Sequence, residues 1–534
     1  MRNKSWIGVL LLCVLGCQEE NEPALPNVLI ILADDMGYSD IGAYGSETAT
    51  PNLDKLATEG VLFTQFYNTS RCCPSRASLL TGVYSHQAGI GFMVEDQGYP
   101  SYQGYLNDQC KTIAEVLKQY DYSTYAVGKW HVGTEEQYWP AKRGFDRFYG
   151  SATAMGHYFG LMEDRNLIID DTEVKPEGEF RKLTSYSYTD IRGKDGKEWY
   201  ATDAYSDKAV DYLEQHLQSG SGNPFLMYLA YTAPHWPLHA LPEDIKKYES
   251  VYQVGWDEIR KGRLERLVQK GIIKSGTVLS EREEIEPWED VTNQDSVARF
   301  MAVYAAMVDR MDQGIGRIID QLEKTGLKDN TLIIFLSDNG GCPFGPIKSE
   351  PGSQVGDPES YAKLPYGWAN ANNTPFRLYK QFTHEGGISS PLIISYPGKI
   401  AGSKTIHTPT HIIDLFPTIL EYAGIDYEEA FPRQSLLSLQ GKSLAPLVDQ
   451  GDFKREDPLF WEHRGHKAIR DGDWKLVLGD QDWELYNIKE DRAEQNNLIG
   501  LYPEKAEALK VKWIEWAKDN GVMDLKDGKL VSFE

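Results

Sequence analysis

Cysteine is scarce in this chain, with six in 534 residues, too few for a dense disulfide framework. Basic charge is in deficit. Lys and Arg number 55 against 79 Asp and Glu, for a formal charge of −24. Such a chain lacks the cation excess that releases phosphate counterions, which excludes general nucleic-acid binding. Beyond the first residues no apolar run is long enough to span a bilayer. No internal repeat or low-complexity tract follows, so solenoid, collagen and disordered readings fall away. What is present is ordinary globular usage, 41% hydrophobic and 25% charged residues. At about 100–200 residues per domain, that fits one large domain and a smaller one.

The start of the chain reads MRNKSWIGVLLLCVLGC. Arg2 and Lys4 precede an apolar run, Trp6 to Leu15, too short for a mature spanning helix, and Gly16-Cys17 closes it. This resembles a bacterial lipoprotein signal with Cys17 as the lipidated (palmitate-bearing) first mature residue. Gln18, rather than Asp, follows the cysteine, and a polar tether runs to residue 26. That resembles sorting to the outer membrane, facing the periplasm or the cell surface. Of the cysteines, Cys72, Cys73, Cys110 and Cys342 then remain, and their spacing does not ask for a disulfide.

Asn27 to Ala33 is a continuous apolar run that ends in Asp34-Asp35. Thr124 to Val127, Phe225 to Tyr231, Thr331 to Leu336 and Pro391 to Tyr396 have the same form, bounded by Gly, Pro, Asn or Asp. All five read as buried parallel strands. Helical stretches separate them. From about Asp295, Phe300, Tyr304, Met307, Met311, Ile315, Ile318 and Leu322 recur at steps of three and four. They make one apolar stripe, with Asp309, Arg310 and Asp312 off it. Residues 243 to 293 read as a charged helical insertion. Past Asp452, Pro458 to Trp461, Trp474 to Leu478 and Glu484 to Tyr486 read as short antiparallel strands, and Glu504 to Ala517 as a helix. The pattern predicts an α/β fold, a mixed, mostly parallel sheet sandwiched by helices, with a small C-terminal α+β unit.

Ligands of open α/β sheets sit beyond the carboxyl ends of the strands. Asp34 and Asp35 follow the first strand, Lys129 and His131 (GKWHVG) the second, His235 (APHWP) the third, Asp338 and Asn339 (SDNGG) the fourth. Oxygen-only donors such as Asp34, Asp35, Asp338 and Asn339 suit a hard cation, calcium or magnesium, rather than zinc.

The segment Cys72-Cys73-Pro74-Ser75-Arg76-Ala77-Ser78-Leu79-Leu80-Thr81-Gly82 resembles the type I sulfatase signature, C-x-P-S-R-x-x-x-L-T-G, at all seven fixed positions. The Asp pair, GKWHVG, APHWP, SDNGG and HEGG occur in that family's order. The resemblance covers nearly the whole chain beyond the tether and implies an alkaline-phosphatase/sulfatase-like fold. It implies that Cys72 becomes formylglycine (3-oxoalanine), made by a formylglycine-generating enzyme or an anaerobic maturase. A hydrated aldehyde can take the sulfuryl group on one hydroxyl and expel it through the second, splitting one hard step into two. It further implies one Ca2+ held by Asp34, Asp35, Asp338, Asn339 and the modified Cys72. Arg76 would hold the hydrate. Lys129 would touch sulfate, and His131 would bond the hydrate and help its collapse. His235 and Lys380 would bind substrate and protonate the leaving alcohol. Asp338 would also orient or deprotonate the attacking hydroxyl.

On this reading residues 1–16 are the signal, 17–26 the tether, 27–450 the catalytic domain and 451–534 the C-terminal subdomain. RGFDRFYG, AYTAPHWPLHALPED and NNTPFRLYKQFTHEGG resemble the arylsulfatase-like branch, whose members act on aryl sulfates or sulfated polysaccharides. The expected substrate is a sulfated polysaccharide or oligosaccharide, with pocket walls drawn from His86, Trp130, His157, Tyr158, Trp236 and His463. Two alternatives stand beside it: a phosphonate or phosphodiester hydrolase of the same superfamily, and a catalytically dead glycan-binding lipoprotein.

Overall fold

The computed structural model describes residues 24–532 apart from 154–155, 164, 175–179, 183–186, 191–198, 344–351, 433–435, 480–481 and 527. The signal and Cys17 therefore lie outside the described residues.

Ten strands form the central sheet: β1 (Asn27–Ala33), β2 (Val61–Phe63), β3 (Ser123–Lys129), β4 (Arg147–Ser151), β5 (Leu167–Ile169), β6 (Thr172–Val174), β7 (Phe225–Ala230), β8 (Thr331–Ser337), β9 (Leu392–Ser395) and β10 (Lys404–Ile406). Their spatial order is β10-β2-β9-β8-β1-β7-β3-β4-β5-β6. The five from β8 to β4 run parallel. Every residue of β1, β7 and β8 is buried, because helices cover both faces and leave no polar side to alternate. Val28, Ile30 and Leu32 pack on one face with Leu79 and Leu80 of α1 (Cys72–Thr81). Leu29 and Ile31 pack on the other with Tyr205 and Leu213 of α2 (Ala201–Ser219) and with Met307, Met311 and Ile315 of α3 (Gln294–Lys324).

One expectation is corrected. The Pro391–Tyr396 run is a strand, β9, but it pairs antiparallel to both neighbours. Burial on both faces gives an apolar run whatever the strand direction, so composition could not tell the two apart. On α3 the predicted stripe is buried throughout, yet Asp309 and Asp312, off it, are buried too. Asp312 accepts from the backbone N–H of Leu53 (2.8 Å) and of Asn52 (3.1 Å). It thereby satisfies the open N-terminus of the Pro51–Glu59 helix.

The C-terminal chain forms an antiparallel meander, β11 (Leu459–His463), β12 (His466–Asp471), β13 (Trp474–Leu478) and β14 (Trp483–Asn487). Ile469, Leu476 and Leu485 on one face cover Leu509 and Trp513 of α4 (Pro503–Asp519). On the other face Leu459, Trp461 and Val477 meet Tyr67 and Ile388 of the main body.

A buried charge cluster fastens this meander to the large domain. Lys475 of β13 lies 3.0 Å from Glu385 and 2.8 Å from Glu494. Tyr67 donates to Glu385 (2.7 Å), and Arg492 lies 3.3 Å from it. Glu385 belongs to the HEGG turn, so the cluster also fixes the loop that carries Lys380. Lys475→Met leaves two buried carboxylates short of a cation. The expected loss is about 3–5 kcal/mol of unfolding free energy, read by denaturant titration.

Candidate active site

Strand register delivers the site. Leu32 of β1 lies opposite Leu336 of β8 and Ala230 of β7, and Ala230 lies opposite Gly128 of β3. Lys129 follows that row by one residue, and Asp34 and Asp338 by two. Asp34, Asp35, Lys129, Asp338 and Asn339 are all essentially inaccessible. Cys72 opens α1, after the extended residue Arg71 (φ −152°, ψ 150°), where the positive end of the helix faces it.

Three carboxylates share this space with three cations. Lys129 Nζ donates to Asp34 Oδ2 at 2.6 Å. Arg76 donates to Asp338 Oδ2 through Nη2 (2.8 Å) and Nε (3.2 Å). Lys380 donates to Asp35 Oδ1, which also accepts from Asn339 Nδ2 at 2.8 Å. Burial would raise the Asp34 pKa, but Lys129, His235 and Arg76 outweigh it and hold the carboxyl ionised. Asp338 goes the other way. Burial and the Asp34 charge lift it well above the carboxylate range in spite of Arg76. The charges match in number, three against three, but burial leaves Asp338 undercompensated.

The orphaned atoms point to a cation. Asp34 Oδ1, Asp35 Oδ2 and Asn339 Oδ1 are buried and have no hydrogen-bond partner. Buried polar atoms are nearly always satisfied. Three unsatisfied oxygens from three neighbouring side chains are a donor set for a hard ion. The residues present fit the predicted calcium site.

The predicted histidines are close by. His131, with positive φ (61°), has a pKa pushed down to about 4, first by burial and then by Lys129. It is neutral near pH 7, and its ring lies within 4.8 Å of the Cys72 and Cys73 sulfurs. His235 Nδ1 contacts the Trp236 carbonyl at 2.5 Å. A carbonyl only accepts, so Nδ1 carries hydrogen and Nε2 is the exchangeable nitrogen, 3.4 Å from Asp35 Oδ2. A hydrogen bond from Cys73 is the largest influence on the Cys72 thiol. With Lys129, Lys380 and His131 it holds the thiol well below its ordinary pKa in spite of burial.

The motif glycines are explained by close backbone approach. A Cβ on Gly340 would sit 1.9 Å from the Gly386 carbonyl oxygen, and one on Gly387 2.0 Å from that of Phe382. SDNGG and HEGG are thus pressed together, and Lys380 is carried in beside Asp35.

Residues 26–425, three quarters of the chain, match the family model described as Sulfatase, and residues 376–514 match that of the N-sulphoglucosamine sulphohydrolase C-terminal region. The chain belongs to the sulfatase family. This sulfatase is 34% identical to an uncharacterised sulfatase of Schizosaccharomyces pombe, over 96% of this chain and 97% of that one. It is 33% identical to the arylsulfatase of Klebsiella aerogenes, over 84% and 97%. The crystal structure of Ps i-CgsB in complex with k-i-k-neocarrahexaose superposes with a TM-score of 0.69 at 27% identity, covering 93% of this chain and 94% of that one. The protein is a sulfuric ester hydrolase.

Sequence reasoning passed over several supports of the sulfatase site. Ser75 donates to the Asp338 carbonyl (2.5 Å), which explains a fixed serine in the Cys72 motif. Tyr228 and Tyr304, read only as apolar positions, present hydroxyls to Arg76 (3.5 Å) and to the Asp35 carbonyl (3.3 Å). Their signal was a polar-tipped aromatic inside a buried run. The six wall candidates divide. Tyr158 donates to the His235 carbonyl (2.8 Å), and the Trp236 ring lies 4.8 Å from that of His235. His463 is fully buried, and the Arg71 and Cys72 charges reach its ring. His86 is bonded to Glu462 (2.8 Å) and Trp130 to the Tyr138 carbonyl (3.0 Å), both as packing.

His157 is packing too, and it is an acid-sensitive element. Its Nε2 donates to the Pro358 carbonyl (2.9 Å) and its Nδ1 accepts from Phe159 N–H (3.1 Å). Burial pushes its pKa from 6.5 to about 4. Between those values the unfolded chain binds more protons than the folded one, so this contribution is complete above 6.5 and is lost as pH falls toward 4. The slope is at most about 1.4 kcal/mol per pH unit. Thermal denaturation from pH 7 to 5 should show a shallower fall for His157→Gln than for the parent.

Proposed function

We propose that this sulfatase removes sulfate from polysaccharides or oligosaccharides, with aryl sulfates as secondary substrates, using a formylglycine derived from Cys72 and one Ca2+. The observation that carries the reading is the set of orphaned oxygens of Asp34, Asp35 and Asn339 beside a buried Cys72 at a helix N-terminus. The oligosaccharide in the related Ps i-CgsB structure and the arylsulfatase relative support the substrate class.

Formylglycine supplies a hydrated aldehyde oxygen as nucleophile where the Cys72 thiol now stands. Asp34, Asp35, Asp338 and Asn339 would hold the calcium ion, which would supply positive charge to the bound sulfate. The chain's own residues do the rest. Arg76, bonded to Asp338 and to the Lys129 carbonyl (2.8 Å), fixes the metal-side carboxylate and the start of α1. Asp338 orients the attacking hydroxyl. Lys129 and Lys380 neutralise sulfate; a cation about 4 Å away contributes roughly 4 kcal/mol at an effective dielectric near 20. Neutral His131 takes a proton from the Cys72-derived group. His235, whose Nδ1 keeps its hydrogen on the Trp236 carbonyl, takes up a second proton at Nε2, the nitrogen that faces Asp35, and gives that proton to the leaving alcohol, assisted by Lys380. Long-range steering is no help to an anionic substrate here, since the whole chain is acidic. Capture is local.

The same reading includes conversion of Cys72 by a formylglycine-generating enzyme or an anaerobic maturase, and lipid anchoring through Cys17 at the outer membrane. The N-terminal run that ends in Gly16-Cys17 supports the anchor.

Cys72→Ala should abolish sulfate-ester turnover while circular dichroism and melting temperature stay at parent values. Asp338→Ala should lose both calcium and activity. Chelation should silence the parent enzyme, and Ca2+ should restore it where Zn2+ does not. An unmodified thiol in an active preparation, read by mass spectrometry of the Cys72 peptide, would overturn the nucleophile. An aryl phosphodiester hydrolysed faster than the matching aryl sulfate would overturn the substrate class. Cys17→Ser should move activity from the membrane fraction to the soluble fraction.

A further inference from the structure

We propose that Arg71 and His463 form a second anion-recognition point beside Cys72, which takes a further negative group of the substrate, a second sulfate or a carboxylate on the same sugar or its neighbour. This rests on the sulfatase reading above and deepens it.

The site's own charges are already matched. Asp34 is bonded to Lys129, Asp35 to Lys380 and Asp338 to Arg76. Arg71 is a fourth cation, next to the nucleophile, with no carboxylate of its own. Its Nε and Nη1 are buried and make no hydrogen bond. Asp35 is the one carboxylate whose charge reaches it, and Asp35 already has its partners; burial keeps the neighbouring Cys73 and Cys342 thiols protonated. The residue as a whole is half-buried, and a guanidinium with two donors sealed from water costs stability unless an anion meets it. Its planar fork of donors matches a sulfate or a carboxylate.

His463 comes from the other end of the chain, on the strand whose Trp461 donates to the Asn68 carbonyl (2.8 Å), three residues before Arg71. It closes β11, is fully buried, and neither ring nitrogen has a partner. Burial and then the nearby Arg71 hold it neutral, so it has one N–H to give. The Phe92 ring stacks on it at 6.0 Å, and Arg464 lies over Phe92 at 4.5 Å. The three segments make a wall that is apolar in body and basic at its tips. The cations assigned to the scissile sulfate, Lys129 and Lys380, are fixed on Asp34 and Asp35. Arg71 is bonded to neither. It is placed to read a different anionic group of a ligand already seated on Cys72.

The test compares monosulfated hexoses with the same hexoses carrying either a second sulfate or a linked uronate. Parent enzyme, Arg71→Gln, Arg71→Lys and His463→Asn are assayed, each corrected for formylglycine content, because Arg71 adjoins Cys72. The parent should favour one of the doubly charged series in kcat/KM, and the favoured series names the anion. In Arg71→Gln the ratio of doubly to singly charged kcat/KM should fall about 10–100-fold, the worth of one or two charged hydrogen bonds, chiefly through KM. Arg71→Lys should recover part of the ratio, and His463→Asn should lower it less than Arg71→Gln. A parent without preference, or a ratio unchanged in Arg71→Gln, overturns the proposal. Turnover of 4-nitrophenyl sulfate by the parent separates that failure from a failure of the sulfatase reading.

Discussion

Asp34, Asp35 and Asp338 are buried together at the carboxyl edge of the central sheet, and much of the molecule is organised around the repulsion between them. Isolated carboxylates do not stay ionised away from water; they take up a proton or find positive charge. Here each has a cation drawn from a different part of the chain: Lys129 from the end of β3, Arg76 from α1 and Lys380 from the loop before HEGG. The balance is incomplete, as the upward shift at Asp338 and the orphaned oxygens of Asp34, Asp35 and Asn339 record. A site built this way is costly when empty and favourable when charged. That is the electrostatic character expected of a centre that binds a divalent ion and an anionic ester together.

The second organising element is the C-terminal meander. It reaches the centre indirectly, through Lys475, Glu494 and Arg492 around Glu385, and directly, through His463 at the end of β11. One set of contacts holds the HEGG turn and so the position of Lys380. The other closes the space beside Cys72. This unit is thus part of the site's wall and part of its scaffold.

Legibility in the sequence followed the physical signal. β1, β3, β7 and β8 were readable because burial on both faces leaves unbroken apolar runs, and α3 because its stripe holds the helical period. β2, β4, β5, β6 and β10 were not picked out. They are short pieces, mostly toward the flanks of the sheet; β2 is only three residues long, and exposed positions break the runs of β5, β6 and β10. β12 was missed because His466, Lys467 and Arg470 hide its alternation. The antiparallel course of β9 left no trace in composition. Site residues were readable because chemistry fixes residue type at fixed offsets, as in the Cys72 motif and the acids past β1 and β8.

By itself the sequence determined the family, and it named the side chains that the proposed chemistry uses: Cys72, the four oxygen donors, the two histidines and the flanking cations. These depend on local spacing and on the order of strand ends, which the chain spells out directly. Only the tertiary structure decided which cation faces which carboxylate, that His131 and His157 stay neutral, that Ser75 and Tyr304 bond the backbone of Asp338 and Asp35 while Tyr228 meets Arg76, and that Arg71 and His463, almost 400 residues apart, both hold buried nitrogens without a partner. Pairing, burial and orphaned donors are properties of distance in space, and separation along the chain does not encode them.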